Sequence, residues 1–549
     1  MRTEQSLNGI WDFEFSMKAP EQINLAELAF PERISVPGCF DALAKYAGKR
    51  GTGVYRRFVE CGGTVRLNLE AVGLRADVYW DRKRIGHTEL PYSPYTPVFD
   101  AGARGRHELV IVTDNRQDSG TASLFHAYYD FYAYGGIYRD VSLTGLPACR
   151  IDRAEFIPED LEAGTVRIRL ALGGEIPEQV TAEVRFDISA EAEKITVHSG
   201  AAETVCRVPG VKLWSPESPE LHTARVVIPG DAVSVEFGMR KIECGNGGFL
   251  LNGKPLKLIG WNRHESHLEF GAAVPEFLTC SDLRMIKEQG CNFIRGCHYK
   301  QSEAMLRLCD RMGLLVWEES LGWGNRPEQL ADPEFRRLQR EQTVEMVRSS
   351  INHPSVILWG FLNECASETQ EARSCIAELA SAIRAEDSSR PVTFASNRGV
   401  KDVCLDLVDV IAFNTYPGWY DHTEIESYGI DRVIPALEEL AEFASRPEYR
   451  DKPLIVSEIG AAAIIGDHSG LPWSEEYQAE LLGAALSFAL TNPRCGGIAM
   501  WQFCNARTYT ANSCVLTRPR GFNNKGAVDE YRRPKLAWHR IRQMLTDAR

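Results

Sequence analysis

The chain lacks the features that mark membrane, secreted and nucleic-acid-binding proteins. It has no run of 18 apolar residues, so we expect no membrane partner, and its start has no apolar signal-peptide region. Basic runs such as "DRKR" (81–84) are short and the net charge is −13, which argues against a nucleic-acid partner. Because no Gly-x-Gly-x-x-Gly follows a predicted strand, we also expect no nucleotide cofactor.

Cysteine pairs with the spacing of a metal or redox site are also missing. The 15 cysteines include no Cys-x-x-Cys, and their odd number in mostly apolar segments is typical of reduced thiols. This predicts a cytoplasmic protein. His264 and His267 flank Glu265 with His-x-x-His spacing, but no third ligand follows at a fitting distance. We therefore predict neither a metal nor any other cofactor.

The composition is that of a large globular protein built from several domains. Of its 549 residues 44% are hydrophobic and 25% charged, which is ordinary for globular chains. Residues 1–147 alternate apolar and polar side chains between turn residues, as in "TVRLNLEAVGLRADVYW", and predict a jelly-roll sandwich. Residues 148–241 are also β-patterned and have the length of an immunoglobulin-like sandwich.

Residues 242–549 change to apolar strands that alternate with helical segments. Eight strand candidates are "LKLIGWNRHE", "CNFIRGCHY", "LLVWEES", "VILWGFLNE", "PVTFAS", "VIAFNTY", "LIVSEIG" and "GIAMWQF". All seven intervals between them can hold a helix, although the interval after "PVTFAS" is short, and "KLAWHRIRQML" supplies an eighth helix. This count predicts a catalytic (β/α)8 barrel.

The carboxyl ends of the predicted barrel strands carry acids, amides, histidines and aromatics. Barrel enzymes place their chemistry at this end of the strands. The residues concerned are Asn262, His264 and Glu265; Arg295 and His298; Glu318 and Glu319; Asn363 and Glu364; Asn414 and Tyr416; Glu458; and Trp501. Such a collection of side chains is typical of a sugar-binding site.

Glu364 and Glu458 directly follow two apolar strands, the fourth and the seventh. A buried carboxylate is costly unless it has a purpose. A glycosidase that retains anomeric configuration needs two carboxyl groups about 5–5.5 Å apart, one acid/base and one nucleophile. A single strand-end glutamate is more often a surface or helix-start charge. Glu364 and Glu458 therefore indicate a glycosidase only when they are taken together.

At these motifs the sequence resembles glycoside hydrolase family 2. "LNGIWDF", "FGMRKIE", "NHPSVILWGFLNE" and "LIVSEIG" match that family's segments in the same order, over nearly the whole chain. The resemblance implies that Glu364 is the acid/base and Glu458 the nucleophile. It also implies that Asn363 binds the sugar 2-hydroxyl, and that the protein is a homo-oligomer.

Further motifs resemble the β-glucuronidase branch of the family. Asn523 and Lys525 in "RPRGFNNKG" resemble the branch's Asn-x-Lys, which binds a C6 carboxylate; from local sequence alone this stretch is an ordinary polar turn. "NTYPGWY" (414–420) and "DFYAYGGIYR" (130–139) match two other segments. By this resemblance the substrate-binding residues also include Asn414, Tyr416, Tyr420, Asp130, His264 and His298, with Trp501 as a sugar platform.

One position departs from the branch pattern. The branch has an arginine four residues before the Asn, where this chain has Pro519 between Arg518 and Arg520. Either arginine could serve. Arg326, in the short "LGWGNRPEQLADP" loop after strand three, is either an exposed loop charge or a donor to an axial 4-hydroxyl. The second possibility would favour galacturonides.

The predicted function is therefore a retaining exo-β-D-hexuronidase that acts on small-molecule β-glucuronides. The first alternative is a β-galacturonidase or an enzyme that accepts both epimers. A β-galactosidase or β-mannosidase of the same family would not need Lys525. A non-catalytic carbohydrate-binding protein would not need both Glu364 and Glu458.

Overall fold

The computed structural model describes residues 2–117, 124–125, 129–189, 191–420, 429–509 and 518–548. The first sandwich contains β1 (Thr3–Ser6), β2 (Gly9–Ser16), β3 (Glu32–Val36), β4 (Gly38–Cys39), β5 (Thr52–Cys61), β6 (Thr64–Leu69), β7 (Arg75–Trp80), β8 (Lys83–Thr88), β9 (Val98–Asp100), β10 (Gly105–Asp114), β11 (Gly136–Ile137) and β12 (Val141–Gly145). Its two main sheets have the orders β1-β12-β6-β9 and β3-β2-β5-β10-β7-β8. In β6, buried Val65, Leu67 and Leu69 alternate with outward-facing residues, which gives the strand one face for the core.

The second β region is a seven-stranded antiparallel sheet. It contains β13 (Cys149–Asp160), β14 (Thr165–Gly174), β15 (Gln179–Phe186), β16 (Ala192–His198), β17 (Ala201–Arg207), β18 (His222–Ile228) and β19 (Asp231–Phe237), in the order β13-β14-β17-β16-β15-β18-β19. Phe156 on one edge strand stacks on Phe237 on the other, with ring centroids 5.3 Å apart. The sheet therefore curls around its own core. The predicted divisions at 147/148 and 241/242 fall in the connections that precede β13 and follow β19.

A small antiparallel sheet leads into the barrel. Its strands are β20 (Ile242–Gly245), β21 (Gly248–Leu251) and β22 (Lys254–Leu256). Ile242 and Phe249 share a buried cluster with Leu258 and Phe293, which stand at the starts of the first two barrel strands. This sheet closes the end of the barrel opposite to the carboxyl ends of the strands.

Eight parallel strands form the barrel sheet. They are β23 (Leu258–Arg263), β24 (Phe293–Gly296), β25 (Leu315–Trp323), β26 (Val356–Asn363), the pair β27 (Val392–Thr393) and β28 (Ala395–Ser396), β29 (Ile411–Asn414), β30 (Leu454–Glu458) and β31 (Cys495–Met500). The pieces β27 and β28 are one strand interrupted at Phe394, and they pair with β26 on one side and β29 on the other. The predicted fold class, two β-sandwich regions before a (β/α)8 barrel, is confirmed.

The helices differ from the prediction at one place. They are α1 (Glu276–Gln289), α2 (Glu303–Met312), α3 (Pro327–Ala331), α4 (Pro333–Ser350), α5 (Gln370–Glu386), α6 (Val433–Ala444), α7 (Glu475–Thr491) and α8 (Leu536–Asp547). Two short 3-10 turns, not an α-helix, connect β28 to β29. Asp402 lies between these turns and accepts hydrogen bonds from the hydroxyls of Ser367 and Ser396. The Asp402 carboxylate also accepts from the backbone N–H of Cys404 at 2.7 Å, and local side-chain bonds to the backbone compete with helix formation. A short antiparallel pair, β32 (Ala506–Arg507) and β33 (Phe522–Asn523), follows the last barrel strand.

A segment of the first sandwich, residues 129–139, packs on the rim of the barrel. Tyr129 and Phe131 belong to the same buried cluster as Trp261 of the barrel. Arg139 donates hydrogen bonds to the carboxylate of Glu265 at 2.7 Å and to the backbone carbonyl of Lys300 at 2.7 Å. These contacts bring Asp130 to the barrel mouth.

No helix in the described ranges is long and apolar enough to cross a membrane.

We expect Arg139→Met to destabilise the junction between the first sandwich and the barrel. Burial would raise the pKa of Glu265, but Arg139 and Ser302 hold it below its usual value. Removal of one partner of a buried ion pair costs about 3–5 kcal/mol, because the other charge stays buried. The thermal unfolding midpoint should fall well below that of Arg311→Met, which breaks an exposed pair with Glu236. Equal midpoints for the two variants would contradict this role of Arg139.

Candidate active site

A cavity of about 1020 Å³ opens at the carboxyl ends of the barrel strands, and both candidate glutamates line it. Glu458 is the last residue of β30, and Glu364 directly follows β26. The two strands lie on different sides of the barrel sheet, separated by β27, β28 and β29. The cavity therefore receives one carboxyl group from each side.

Glu458 is buried and bound by a cation. One of its carboxylate oxygens accepts from the Arg295 guanidinium at 2.8 Å, and the other accepts from the Tyr416 hydroxyl at 2.7 Å. The pKa of Glu458 is raised, chiefly by burial, and Arg295 and the Tyr416 hydrogen bond limit that rise. With a full positive charge and a second donor on its oxygens, Glu458 is the glutamate of the two whose ionised form is better stabilised.

Glu364 lies in the opposite electrostatic setting. Its carboxyl group accepts from the Asn414 amide at 2.8 Å. Burial and then the nearby charge of Glu458 raise the pKa of Glu364 to about 8. Glu364 is therefore protonated at neutral pH. One ionised and one protonated carboxyl group in a cavity are the pair that acid-assisted displacement requires.

The backbone around Glu364 is strained. Leu362 and Glu364 both have positive φ angles, 48° and 54°, in the left-handed region that non-glycine residues rarely occupy. Asn363 stands between them, and the Glu364 backbone amide donates to the carbonyl of Ala395 at 2.9 Å. Strain of this kind persists where the surroundings hold it and is concentrated at functional sites. Here it turns two consecutive side chains toward the end of the barrel.

Arg295 connects the components of the site. Besides Glu458, its guanidinium donates to Glu319 at 2.9 Å and to the side-chain carbonyl of Asn363 at 2.9 Å. Asn414 donates to the same Asn363 oxygen at 3.0 Å. A continuous hydrogen-bonded chain thus runs from Glu364 through Asn414, Asn363 and Arg295 to Glu458. The Asn363 amide nitrogen is buried and has no hydrogen-bond partner among the described residues, so a donor remains for a ligand.

A second group of polar residues surrounds Lys525. The Lys525 ammonium is buried, donates to the Tyr420 hydroxyl at 2.6 Å, and lies 4.6–5.7 Å from the ring centroids of Tyr416, Trp419 and Tyr420. Burial and then the positive charge of Arg518 lower the pKa of Lys525 well below its usual value. Within the described ranges Lys525 forms no ion pair. An anion that entered here would therefore supply the missing counter-charge.

Asp130 links this group to the first sandwich. It forms an ion pair with Arg518 at 2.9 Å and accepts from the Asn523 amide at 3.1 Å. Arg518 also donates to the Tyr420 hydroxyl at 3.3 Å. Asp130 and Arg518 both line the cavity. Residues 388 positions apart in the chain thus meet at the mouth of the barrel.

The three candidate arginines lie in different places. Arg518 lines the cavity, whereas Arg520 pairs with Glu530 at 2.6 Å and is half exposed. Arg326 is exposed at the start of α3. Among the described lining residues neither Arg520 nor Arg326 occurs, so the geometry favours Arg518 over both.

Trp501, His298 and His264 form a packed aromatic group beside Glu458. His298 stacks on Trp501 with ring centroids 5.3 Å apart, and both line the cavity. His264 meets the edge of Trp501 and packs against Phe131. Burial lowers the pKa of both histidines well below the usual value, so both imidazoles are neutral. His264 supports the cavity wall and does not itself line it.

The sequence does not predict the whole cavity. It marks Arg295 as a strand-end residue but not its central position, although an arginine that ends an apolar strand is itself a signal. Nine further lining residues lie at or after strand ends or on α6 and its approach, where no periodic pattern marks them: Trp323, Asn397, Thr415, Pro417, Asp431, Arg432, Pro435, Ala436 and Glu439. They extend the cavity beyond the size of one sugar ring.

A parallel barrel that brings two strand-end glutamates into one cavity, one of them protonated and the other bound by an arginine, is the arrangement expected of a glycoside-cleaving enzyme. The comparisons with known proteins agree. Residues 242–545 match the model "Glycosyl hydrolases family 2, TIM barrel domain", and residues 149–240 match the model "Glycosyl hydrolases family 2". The chain belongs to glycosyl hydrolases family 2, as the sequence motifs predicted.

Its relatives include several β-glucuronidases. It is 26% identical to a β-glucuronidase of Streptococcus agalactiae over 97% of this chain and 94% of that protein. It is 31% identical to the human β-glucuronidase over 76% of this chain, and the match covers 65% of the human protein.

Solved structures extend this similarity. A β-galacturonidase from Eisenbergiella tayi bound to galacturonate superposes with a TM-score of 0.90 at 33% identity, covering 100% of this chain and 97% of that one. A Bifidobacterium dentium β-glucuronidase complexed with coumarin-3-O-glucuronide superposes with a TM-score of 0.88 at 25% identity, covering 99% and 97%.

The raised pKa of Glu364 predicts how activity depends on pH. Glu364 is protonated below about pH 8 and ionises above it, so an acid function is lost as the pH rises through that value. We expect kcat/KM for glycosides with poor leaving groups to fall above about pH 8. In Glu364→Ala, measured on activated aryl glycosides, this decline should disappear.

A matched control is Glu439→Gln, which removes an exposed carboxylate from the wall of the same cavity. This variant should keep the alkaline decline of the unmodified enzyme. If the decline persists unchanged in Glu364→Ala, another group must be the acid.

Proposed function

We propose that the protein is a retaining exo-β-D-hexuronidase that hydrolyses β-D-glucuronides. The observation that carries this proposal is Lys525, a buried ammonium without an ion-pair partner in the described structure, on the same rim as Glu364 and Glu458. A hexuronide offers what both groups lack, a carboxylate at C6 for Lys525 and a glycosidic bond at C1 for the glutamates.

The two glutamates divide the reaction into two displacements. Glu458 attacks C1 as an ionised nucleophile, and Glu364 gives its proton to the departing glycosidic oxygen, so that a covalent glycosyl-enzyme forms. Glu364, now ionised, then takes a proton from water as the water oxygen attacks C1 and releases Glu458. After both steps Glu364 is protonated and Glu458 ionised again. Two inversions leave the β configuration of the sugar unchanged.

Other side chains hold the sugar for these steps. The free Asn363 amide is suited to donate to the 2-hydroxyl, a contact that strengthens in the transition state. Asn523 and Lys525 bind the carboxylate, while Asp130, Arg518 and Tyr420 form the polar wall beside it. Asn414 and Tyr416 position Glu364 and Glu458 through the hydrogen bonds described above. Trp501, stacked on His298, gives the sugar an apolar platform, and His264 supports that wall.

The substrate also completes the electrostatics of the site. Lys525 tends to lose its proton while it stands among three aromatic rings, because burial disfavours its charged form. A bound carboxylate reverses this preference, since an adjacent negative charge stabilises the ammonium. Binding of a hexuronide is therefore coupled to proton retention on Lys525. Neutral sugars obtain no such stabilisation.

A β-galacturonidase is the second candidate. It is favoured by the 33% identity to the Eisenbergiella tayi β-galacturonidase over the full length of this chain. The two substrates differ only in the configuration at C4. The placement of Arg326 outside the cavity wall removes the one sequence feature that pointed toward an axial 4-hydroxyl, and for that reason we place glucuronides first.

We further propose a cytoplasmic homo-oligomer. No disulfide bond joins the cysteines of the described ranges, which supports a reducing compartment. Sedimentation of the purified protein tests the oligomeric state, and fractionation of the source cells tests the location.

Lys525→Ala should selectively reduce activity on hexuronides. Loss of one partner of a buried charged pair costs about 3–5 kcal/mol, which corresponds to a decrease of roughly 10² to 10³ or more in kcat/KM. The decrease should be smaller on an uncharged β-glucoside, because no carboxylate is left unpaired there. The measurement is kcat/KM for nitrophenyl β-glucuronide, β-galacturonide, β-glucoside and β-galactoside with both forms of the enzyme.

Arg520→Ala is the matched control, because it removes a cation five positions away that pairs with Glu530 outside the cavity. It should keep the preference for hexuronides. The same panel ranks the two C4 epimers in the unmodified enzyme. Equal losses on glucuronide and glucoside in Lys525→Ala would reject the hexuronide assignment.

A further inference from the structure

A group of three potential metal ligands lies beside the nucleophile. One ligand atom each from His264, Cys297 and His298 lies within 4.8 Å of the other two, and all three residues are buried. They come from the ends of two neighbouring strands, β23 and β24. This group differs from the His-x-x-His spacing considered above, because His267 is not part of it.

His264 has an unused ligand atom in this group. Its Nδ1 lies 3.4 Å from the Tyr299 hydroxyl, while its Nε2 is buried without any hydrogen-bond partner in the described structure. A buried polar atom without a hydrogen-bond partner is unusual in folded proteins. His264 is only 7% exposed, so bulk water does not supply the missing bond. A metal ion would satisfy this nitrogen.

The chemistry of the donor set selects the class of ion. Two imidazole nitrogens and one thiolate sulfur are a donor set that favours Zn²⁺ and other thiophilic ions over Mg²⁺ or Ca²⁺. Zinc bonds of ~2.0–2.3 Å place tetrahedral donors ~3.3–3.7 Å apart. Donors within 4.8 Å of one another must therefore approach by at most ~1.1–1.5 Å, a change that side-chain rotation can supply.

The charges around the group tolerate a divalent cation. Arg295 contributes one positive charge, and Glu319 and Glu458 contribute two negative charges; Glu458 lies 3.8 Å from Nε2 of His298. When Cys297 releases its thiol proton to solvent on binding, its thiolate adds a third negative charge. The local sum of −2 then balances Zn²⁺.

The ion can reach the group from the active-site cavity, because His298 lines that cavity. An ion bound to His298 would pull this ring away from its stacking on Trp501 and would add positive charge beside Glu458. A nucleophile that is neutralised in this way attacks more slowly. Occupation of the group should therefore inhibit the enzyme.

We propose that His264, Cys297 and His298 form an inhibitory site for Zn²⁺ and related thiophilic cations, with a cavity water as the fourth ligand. The site acts on the glycosidase reaction whichever sugar is the substrate. It requires no step of catalysis to involve a metal. Reversible loss of activity in the presence of zinc is its functional consequence.

The test compares the chelator-treated enzyme with its Cys297→Ser variant. Cys297 takes no part in the proposed reaction, so the folded variant should keep its basal activity. We expect saturable inhibition of the unmodified enzyme by Zn²⁺ and full recovery with EDTA. In Cys297→Ser the inhibitory concentration should rise by ~100-fold or more, because even changes outside the ligand shell cost ~10–100-fold in affinity.

A second readout does not depend on activity. Titration with Cd²⁺ should give the ultraviolet charge-transfer band of a cadmium thiolate in the unmodified enzyme, and the band should weaken in Cys297→Ser by one thiolate equivalent. Cys280→Ser, which removes a partly exposed thiol on α1, is the matched control and should retain both the band and the inhibition. Should Cys297→Ser fold poorly, Cys297→Ala replaces it. Equal zinc sensitivity in Cys297→Ser and Cys280→Ser, or no saturable binding, would overturn the proposal.

Discussion

The active site depends on one buried guanidinium. Arg295 is fully buried at the end of the second barrel strand and holds Glu319, Asn363 and Glu458 on separate nitrogens. An unpaired buried charge is prohibitive, so the cation requires its two carboxylates as much as they require the cation. The planar fork of arginine fixes their directions, which a lysine could not do. Arg295 therefore orients Glu458 and stabilises its ionised form within the protein interior.

This arrangement also sets the charge state of Glu364. Because Arg295 binds Glu458 and leaves Glu364 with only an amide donor, burial and the charge of Glu458 keep the proton on Glu364. Two glutamates in one cavity thereby acquire opposite electrostatic settings from their neighbours, which is the basis of the roles we propose for them. The strained backbone on both sides of Asn363 turns Asn363 and Glu364 toward the same end of the barrel. Lys525, which has no ion-pair partner in the described structure, lies behind Tyr420 of the cavity wall, where we propose that it binds the carboxylate of a hexuronide.

The sequence predicted those features that depend on local pattern. The eight strands were recognisable from apolar runs, and Glu364 and Glu458 stood out because each directly follows such a run. Asp130 and Arg518 meet across 388 positions, and nothing in either local segment indicates the contact; only the resemblance to a known family pointed to Asp130. Arg295 was visible as a strand-end residue, but its partners Asn262, Glu319, Asn363 and Glu458 come from four other strands, so its central position required the fold.

Local pattern also failed where side chains replace backbone bonds. The interval between β28 and β29 had the length for a short helix, yet Asp402 takes hydrogen bonds from Ser367 and Ser396, and Ser367 belongs to a different connection.

The central claim, that Glu458 attacks and Glu364 protonates, is tested most directly by the anomer first released. Proton NMR of early turnover on an aryl β-hexuronide should show the β-hexuronic acid before mutarotation. The α anomer as first product would contradict the account.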